Sequence, residues 1–194
     1  MSSEFWNIWS SILSLVLLTY LMLVHVLSSL EYNSSISVFI ACIVCQLCSA
    51  IYHSSGLPIL YNLDLAGICC MSIGAPYLYV LAFGTDGLGV YTAVLVSLTM
   101  LCFIILAKDT LCFEVTTCEH WIMVLAAFGN YPAIRLPAAQ AAVAIIVSAY
   151  VLFRILRLPE RLLLSSAAGK IWHSHVFWHC AVLASQLFYV SLAS

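Results

Sequence analysis

Long apolar runs joined by short connections constrain this chain more than any other feature of its sequence. A helix that crosses a bilayer needs about 20 consecutive, mostly apolar residues. Runs of suitable length lie near residues 8–28, 36–54, 64–83, 88–107, 115–133, 138–156 and 171–192. The sequence therefore predicts an all-α protein, a seven-transmembrane helical bundle that occupies residues 1–194 as one domain.

The composition indicates that lipid surrounds most of this chain. Hydrophobic residues make up 64% of the sequence and charged residues only 7%. A soluble domain carries about a quarter charged residues, so this composition cannot supply a water-exposed surface. The formal net charge is -2 and no basic block occurs. We therefore expect membrane lipids, and not nucleic acid, as partners of this multi-pass integral membrane protein.

The distribution of basic residues predicts the orientation of the bundle. With seven spans, the connections on the N-terminal side are residues 55–63, 108–114 and 157–170. Five of the six basic residues lie on that side, namely Lys108, Arg154, Arg157, Arg161 and Lys170. Arg135 alone lies on the other side. Because cytoplasmic loops are enriched in Lys and Arg, we expect a cytoplasmic N-terminus and a C-terminus on the opposite side.

Four ionisable residues are expected to meet at the cytoplasmic ends of three spans. His53 lies at the end of the second run, Asp64 at the start of the third, and His175 and His179 in the first turns of the seventh. Ionisable groups within membrane spans are costly and indicate function by default. His175 and His179 are four residues apart and therefore share one helix face. Ser49 lies one turn before His53 on the same face.

Three imidazoles that converge in this way predict a metal site. His175 and His179 can occupy two corners of a tetrahedron, and His53 can supply the third. Three histidines with one open position are typical of a catalytic zinc site, and imidazole ligands favour zinc among the common divalent metals. Asp64 could orient a ligand or hold the water of the metal. The alternative is that these histidines only anchor the helices at the membrane interface, and His25 is expected to be a packing residue.

Five segments of the chain also follow one another in a distinctive order. They are Glu4 to Ser10 (EFWNIWS), Ser49 to His53, Leu63 to Ile68 (LDLAGI), Arg157 to Arg161 with the later pair Gly169 and Lys170, and Ser174 to His179 (SHVFWH). Together they resemble the progestin and adipoQ receptor family and its hemolysin III relatives. The resemblance implies zinc bound by His53, His175 and His179, with Asp64 and Ser49 beside its water. It also implies kinship with membrane hydrolases that include the alkaline ceramidases.

Two functional hypotheses follow. In the first, the chain is a zinc-dependent hydrolase of a lipid amide or ester such as ceramide. Asp64 would then be the general base, and Ser49 would donate a hydrogen bond to the developing oxyanion. In the second, the zinc is structural and the chain is a membrane receptor or scaffold with a sphingolipid or sterol ligand. A channel or transporter is less well supported, because the ionisable residues lie at one end and not at the midplane.

Overall fold

The computed structural model describes residues 3–28, 35–57, 60–71, 97, 123–124, 137–158, 161 and 174–193. Nearly all of these residues are helical and none is in a strand, which confirms the all-α prediction. The elements are α1 (Ser3–Ser28), α2 (Ser35–Ser55), α3 (Tyr61–Cys69), α4 (Pro137–Ala149), a π-helical segment (Tyr150–Ile155) directly after α4, and α5 (Ser174–Ala193). Most of the predicted spans 88–107 and 115–133 lies outside the described residues.

Two of the helices are long and apolar enough to cross a membrane. They are the stretches Glu4–Ser28 of α1 and Ile36–Ser55 of α2, and a shorter apolar helix covers Gln140–Ile155. Large apolar side chains of α1 are exposed along its length, with 63% of Leu13 and 84% of Leu27 accessible. The other face of α1 is buried and carries polar residues at helical spacing, Asn7, Ser11 and Ser14. This pattern is the reverse of the one expected for a helix at the surface of a soluble protein.

Two helices differ from their predicted limits in ways that affect the site. The helix α1 begins at Ser3, before the predicted residue 8, so that Glu4 lies in its first turn. A carboxylate there is stabilised by the positive end of the helix dipole. The helix α3 begins at Tyr61, after a turn in which the Leu60 N–H donates to the Leu57 carbonyl oxygen. Asp64 therefore lies within the first turn of α3 and not at its start.

The helices α2 and α5 are central to the packing of the described residues. The helix α2 contacts α1, α3 and α5, and α5 also contacts α1, α4 and the π-helical segment. The contact between α2 and α3 is close at Gly67, where an added Cβ would lie 3.1 Å from the Cα of Cys45 and 3.0 Å from the Cβ of Cys48. Small residues allow such close approach between membrane helices. Gly67 therefore fixes the distance between the helices that carry His53 and Asp64.

A buried pair of glutamines fixes the register of α2 against α5. The Gln46 Nε2 donates to the Gln186 Oε1 at 2.8 Å, and the Gln186 Nε2 donates to the Cys42 carbonyl oxygen at 3.4 Å. Gln46 lies about two turns before His53, and Gln186 lies about two turns after His179. Because the two helices run in opposite directions, this pairing places His53 beside His179.

Candidate metal centre

Three histidines from two helices form a compact cluster. His53 comes from the last turn of α2, and His175 and His179 come from the first two turns of α5. One ring nitrogen of each lies within 4.8 Å of the others, which is close enough for all three to hold one metal ion. His53 and His179 are buried and His175 is half-buried. The predicted convergence of these three residues is therefore confirmed.

The end of α2 explains why His53 is available to this cluster. Gly56 adopts a left-handed conformation with a φ of 63°, and its N–H donates to the Tyr52 carbonyl oxygen at 3.0 Å. This arrangement is a common way to end a helix with glycine. His53 thus remains in the last helical turn, and its ring faces the two imidazoles of α5 at centroid distances of 4.9 Å to His175 and 5.0 Å to His179.

The spacing of the ring nitrogens is near that of a metal site. The Nε2 atoms of His53 and His175 lie 3.0 Å apart. In a tetrahedral zinc site with Zn–N distances of about 2.0–2.1 Å, two ligand nitrogens are roughly 3.3 Å apart. A shift of a few tenths of an ångström would therefore bring this pair to ligand geometry.

Two of the three histidines have hydrogen bonds that suit a metal ligand. The His53 Nδ1 lies 2.8 Å from the Glu4 carboxylate, which can only accept, so this nitrogen carries the proton and Nε2 keeps its lone pair. A carboxylate behind a ligating histidine holds the ring in orientation and makes it a stronger ligand. Glu4 itself is 56% exposed, so water also reaches this contact.

Two serines of α1 place the proton of His179 on Nδ1 as well. The His179 Nδ1 lies 2.8 Å from the Ser10 Oγ and 3.0 Å from the Ser11 Oγ. The Ser10 hydroxyl donates to the Asn7 carbonyl oxygen, and the Ser11 hydroxyl donates to the Ser49 Oγ. Both serine oxygens therefore accept from the His179 Nδ1–H, which leaves its Nε2 unprotonated. The three imidazoles, together with the hydrogen bonds of His53 and His179, fit a zinc ion.

His175 has a different partner. The Arg154 guanidinium, from the π-helical segment, places its Nη1 atom 2.9 Å from the His175 Nδ1. Single-turn π-helical segments within α-helices are frequent at functional sites. Here the segment contacts α5 and brings a basic residue against the cluster.

Asp64 lines two small cavities beside the cluster. One has a volume of about 30 Å³ and is also lined by Tyr61, Arg154 and His175. The other has a volume of about 20 Å³ and is also lined by Ser49 and His179. Each is large enough for a water molecule with polar partners. Asp64 and Ser49 thus line cavities that border the histidine cluster, and the catalytic roles predicted for them stay predictions.

The other three histidines are not among the described members of the cluster. His25 lies away from the cluster and stacks on Phe39 at a centroid distance of 5.6 Å, in agreement with the predicted packing role. His120 and His173 lie outside the described residues. The sequence reasoning missed Glu4, Ser10, Ser11 and Arg154 as partners of the cluster. The recurrence of polar residues on one face of an apolar helix is the signal that could have found the α1 residues.

Comparisons with known proteins do not assign the chain. No family model matches it, and no curated protein matches it. The residues of the site are therefore the basis for inferring its function.

Proposed function

We propose that this chain is a seven-span membrane protein of the progestin and adipoQ receptor type, with a zinc ion held by His53, His175 and His179. Two features support the membrane location. The apolar stretches of α1 and α2 are long enough to cross a bilayer, and α1 exposes large apolar side chains along its length. The positive-inside rule gives the proposed orientation, with a cytoplasmic N-terminus.

We propose that the activity is hydrolysis of a lipid amide or ester, with ceramide as the first candidate substrate. The observation that carries this proposal is the position of Asp64, a buried carboxylic acid that lines both water-sized cavities at the histidine cluster. An acid with access to a water molecule next to a metal site is the arrangement that hydrolysis requires. A zinc ion bound there would supply the Lewis acidity that activates water and polarises a carbonyl group.

The protein residues have distinct roles in this proposal. The Asp64 carboxylate accepts a proton from water in the cavity and holds it for the leaving group. Ser49 accepts a hydrogen bond from Ser11, so its own O–H points elsewhere and can donate a hydrogen bond to the substrate carbonyl oxygen. Ile68 and Trp178 line both cavities and form an apolar wall that limits the entry of further water.

A turnover assay on detergent-purified protein tests this proposal. We expect wild-type protein to release fatty acid and sphingoid base from ceramide, and we expect the rate to follow the bound zinc. His179→Ala should abolish both zinc binding and turnover. His25→Ala removes a histidine of the same helix-rich region outside the cluster, and it should retain both. A preparation with filled zinc sites that cleaves no ceramide, ester or phospholipid would contradict the enzymatic proposal.

A second candidate is a receptor or scaffold in which zinc is structural. The observation in its favour is that the cluster joins α2 to α5, and that Glu4, Ser10 and Ser11 join it to α1. A filled site would therefore hold three helices together. This candidate predicts that zinc raises the thermal stability, that a sphingolipid or sterol raises it further, and that no lipid is cleaved. If no sphingolipid or sterol raises the thermal stability of the zinc-bound protein, the result counts against this candidate.

A further inference from the structure

Arg154 and His175 form one end of a continuous chain of hydrogen bonds through the histidine cluster. The contacts run from the Arg154 Nη1 to the His175 Nδ1 at 2.9 Å, from the His175 Nε2 to the His53 Nε2 at 3.0 Å, and from the His53 Nδ1 to the Glu4 Oε2 at 2.8 Å. A cation lies at one end of this chain and a carboxylate lies at the other.

The chemistry of the two ends determines where the protons lie. A guanidinium has only hydrogen-bond donors, so the His175 Nδ1 must accept from Arg154. Neutral His175 then carries its proton on Nε2, and this N–H donates a hydrogen bond to the His53 Nε2. The His53 Nδ1–H in turn donates a hydrogen bond to the Glu4 carboxylate. Every contact in the chain is satisfied by this single arrangement, without any additional ion.

The same arrangement is incompatible with a metal ion on the His175 Nε2. A ligating nitrogen must offer its lone pair, so the proton of a neutral imidazole must then lie on Nδ1. That N–H would face an Arg154 donor at a distance of 2.9 Å, with no acceptor between them. The guanidinium must therefore leave His175 before this histidine can complete the metal site.

We propose that Arg154 competes with the metal ion for His175 and so sets the metal affinity of the site. This inference rests on the proposed zinc site and adds to it a role for Arg154, which is not one of the three ligands. Arg154 is a positioning residue in this account, because it acts through His175. Its positive charge also repels a nearby divalent cation, so the charge and the hydrogen bond both lower the metal affinity.

Substitution of Arg154 tests this competition at fixed pH. Arg154→Gln removes the charge, and its amide can accept as well as donate, so it tolerates either form of His175. Arg154→Lys keeps a cation that can only donate. Arg161→Gln removes an exposed positive charge of the neighbouring segment and serves as the control. Zinc affinity is measured on metal-stripped protein by competition with a chromophoric chelator.

We expect Arg154→Gln to bind zinc about tenfold more tightly than wild type, the effect of losing one charge-assisted hydrogen bond. Arg154→Lys and Arg161→Gln should remain near the wild-type affinity. An Arg154→Gln affinity equal to or weaker than that of wild type overturns the proposal, while the zinc site itself stands if wild type binds zinc through its histidines. If neither protein binds zinc, both the proposed function and the competition are wrong.

A measurement on the wild-type protein keeps the proposal testable if Arg154→Gln does not fold. The nitrogen NMR spectrum of metal-stripped, histidine-labelled protein distinguishes the two neutral forms of each ring. We expect the proton of His175 on Nε2, those of His53 and His179 on Nδ1, and a move of the His175 proton to Nδ1 when zinc is added. A His175 ring with its proton on Nδ1 before zinc is added would overturn the proposal.

Discussion

The buried pair Gln46 and Gln186 gives the sharpest test of how α2 and α5 are aligned. Their side chains are 2% and 0% exposed and are joined by a hydrogen bond of 2.8 Å. Gln46→Leu leaves the Gln186 Oε1 without its hydrogen-bond donor, and Gln186→Leu leaves the Gln46 Nε2 without its acceptor, in an apolar environment. Replacing both removes the polar groups together and keeps a similar side-chain volume, which can be nearly neutral.

The expected magnitude follows from the burial and the distance. An unsatisfied buried amide costs about 1 to 3 kcal/mol in soluble proteins. Hydrogen bonds between membrane helices couple more weakly, with an average of about 0.6 and a maximum of about 1.7 kcal/mol. Because this pair is almost fully buried and short, we expect a coupling free energy near the upper value, about 1 to 1.7 kcal/mol. The double variant should therefore be destabilised by less than the sum of the two single effects, and the difference is this coupling free energy.

The assay is a double-mutant cycle of unfolding free energies for Gln46→Leu, Gln186→Leu and the pair, measured in one detergent. Gln140→Leu changes an exposed glutamine of α4 and should alter the stability less than either buried substitution. Because the pair sets the register of His53 against His179, the single variants should also weaken zinc binding. Additive effects of the two leucines would refute the pairing and, with it, the proposed register of the two helices.

Three further predictions concern the surroundings of the site. Glu4→Gln should weaken zinc binding by about tenfold, as measured by chelator competition. This is the low end of the range for a residue that hydrogen-bonds to a metal ligand, because the Glu4 carboxylate is half-exposed. An unchanged zinc affinity would show that Glu4 does not support His53 as a ligand. Gly67→Val should lower the free energy of unfolding by about 1 to 3 kcal/mol, because the valine side chain would press on the backbone of Cys45. Thermal unfolding measures this change, and a variant as stable as wild type would contradict the prediction. Asp64→Asn should retain zinc but lose turnover, and an active variant would exclude Asp64 as the base.

The convergence of the three histidines could be predicted because it depends only on topology and helix spacing. His175 and His179 share a face in any α-helix, and the predicted seven-span topology would place the end of the second span and the start of the seventh on the same side. Asp64 follows by the same reasoning. Packing detail is not needed for any of these positions, which is why the sequence was sufficient.

The partners behind the histidines could not be predicted in the same way. Arg154 reaches His175 from a π-helical segment, and a π-helical turn changes the direction of every following side chain in a manner that hydrophobic periodicity does not reveal. Glu4 reaches His53 because α1 begins before its apolar run, since a membrane helix can extend into the headgroup region. The pairing of Gln46 with Gln186 depends on the register between two helices, which no single helix encodes.

X-ray absorption at the zinc edge of the purified protein tests most directly whether His53, His175 and His179 hold one zinc ion. We predict about one zinc per chain, with three imidazole nitrogens at about 2.0–2.1 Å. The signal should disappear in each of the three alanine variants and persist in His25→Ala. Zinc bound through sulfur, or zinc retained when these histidines are replaced, would contradict the account.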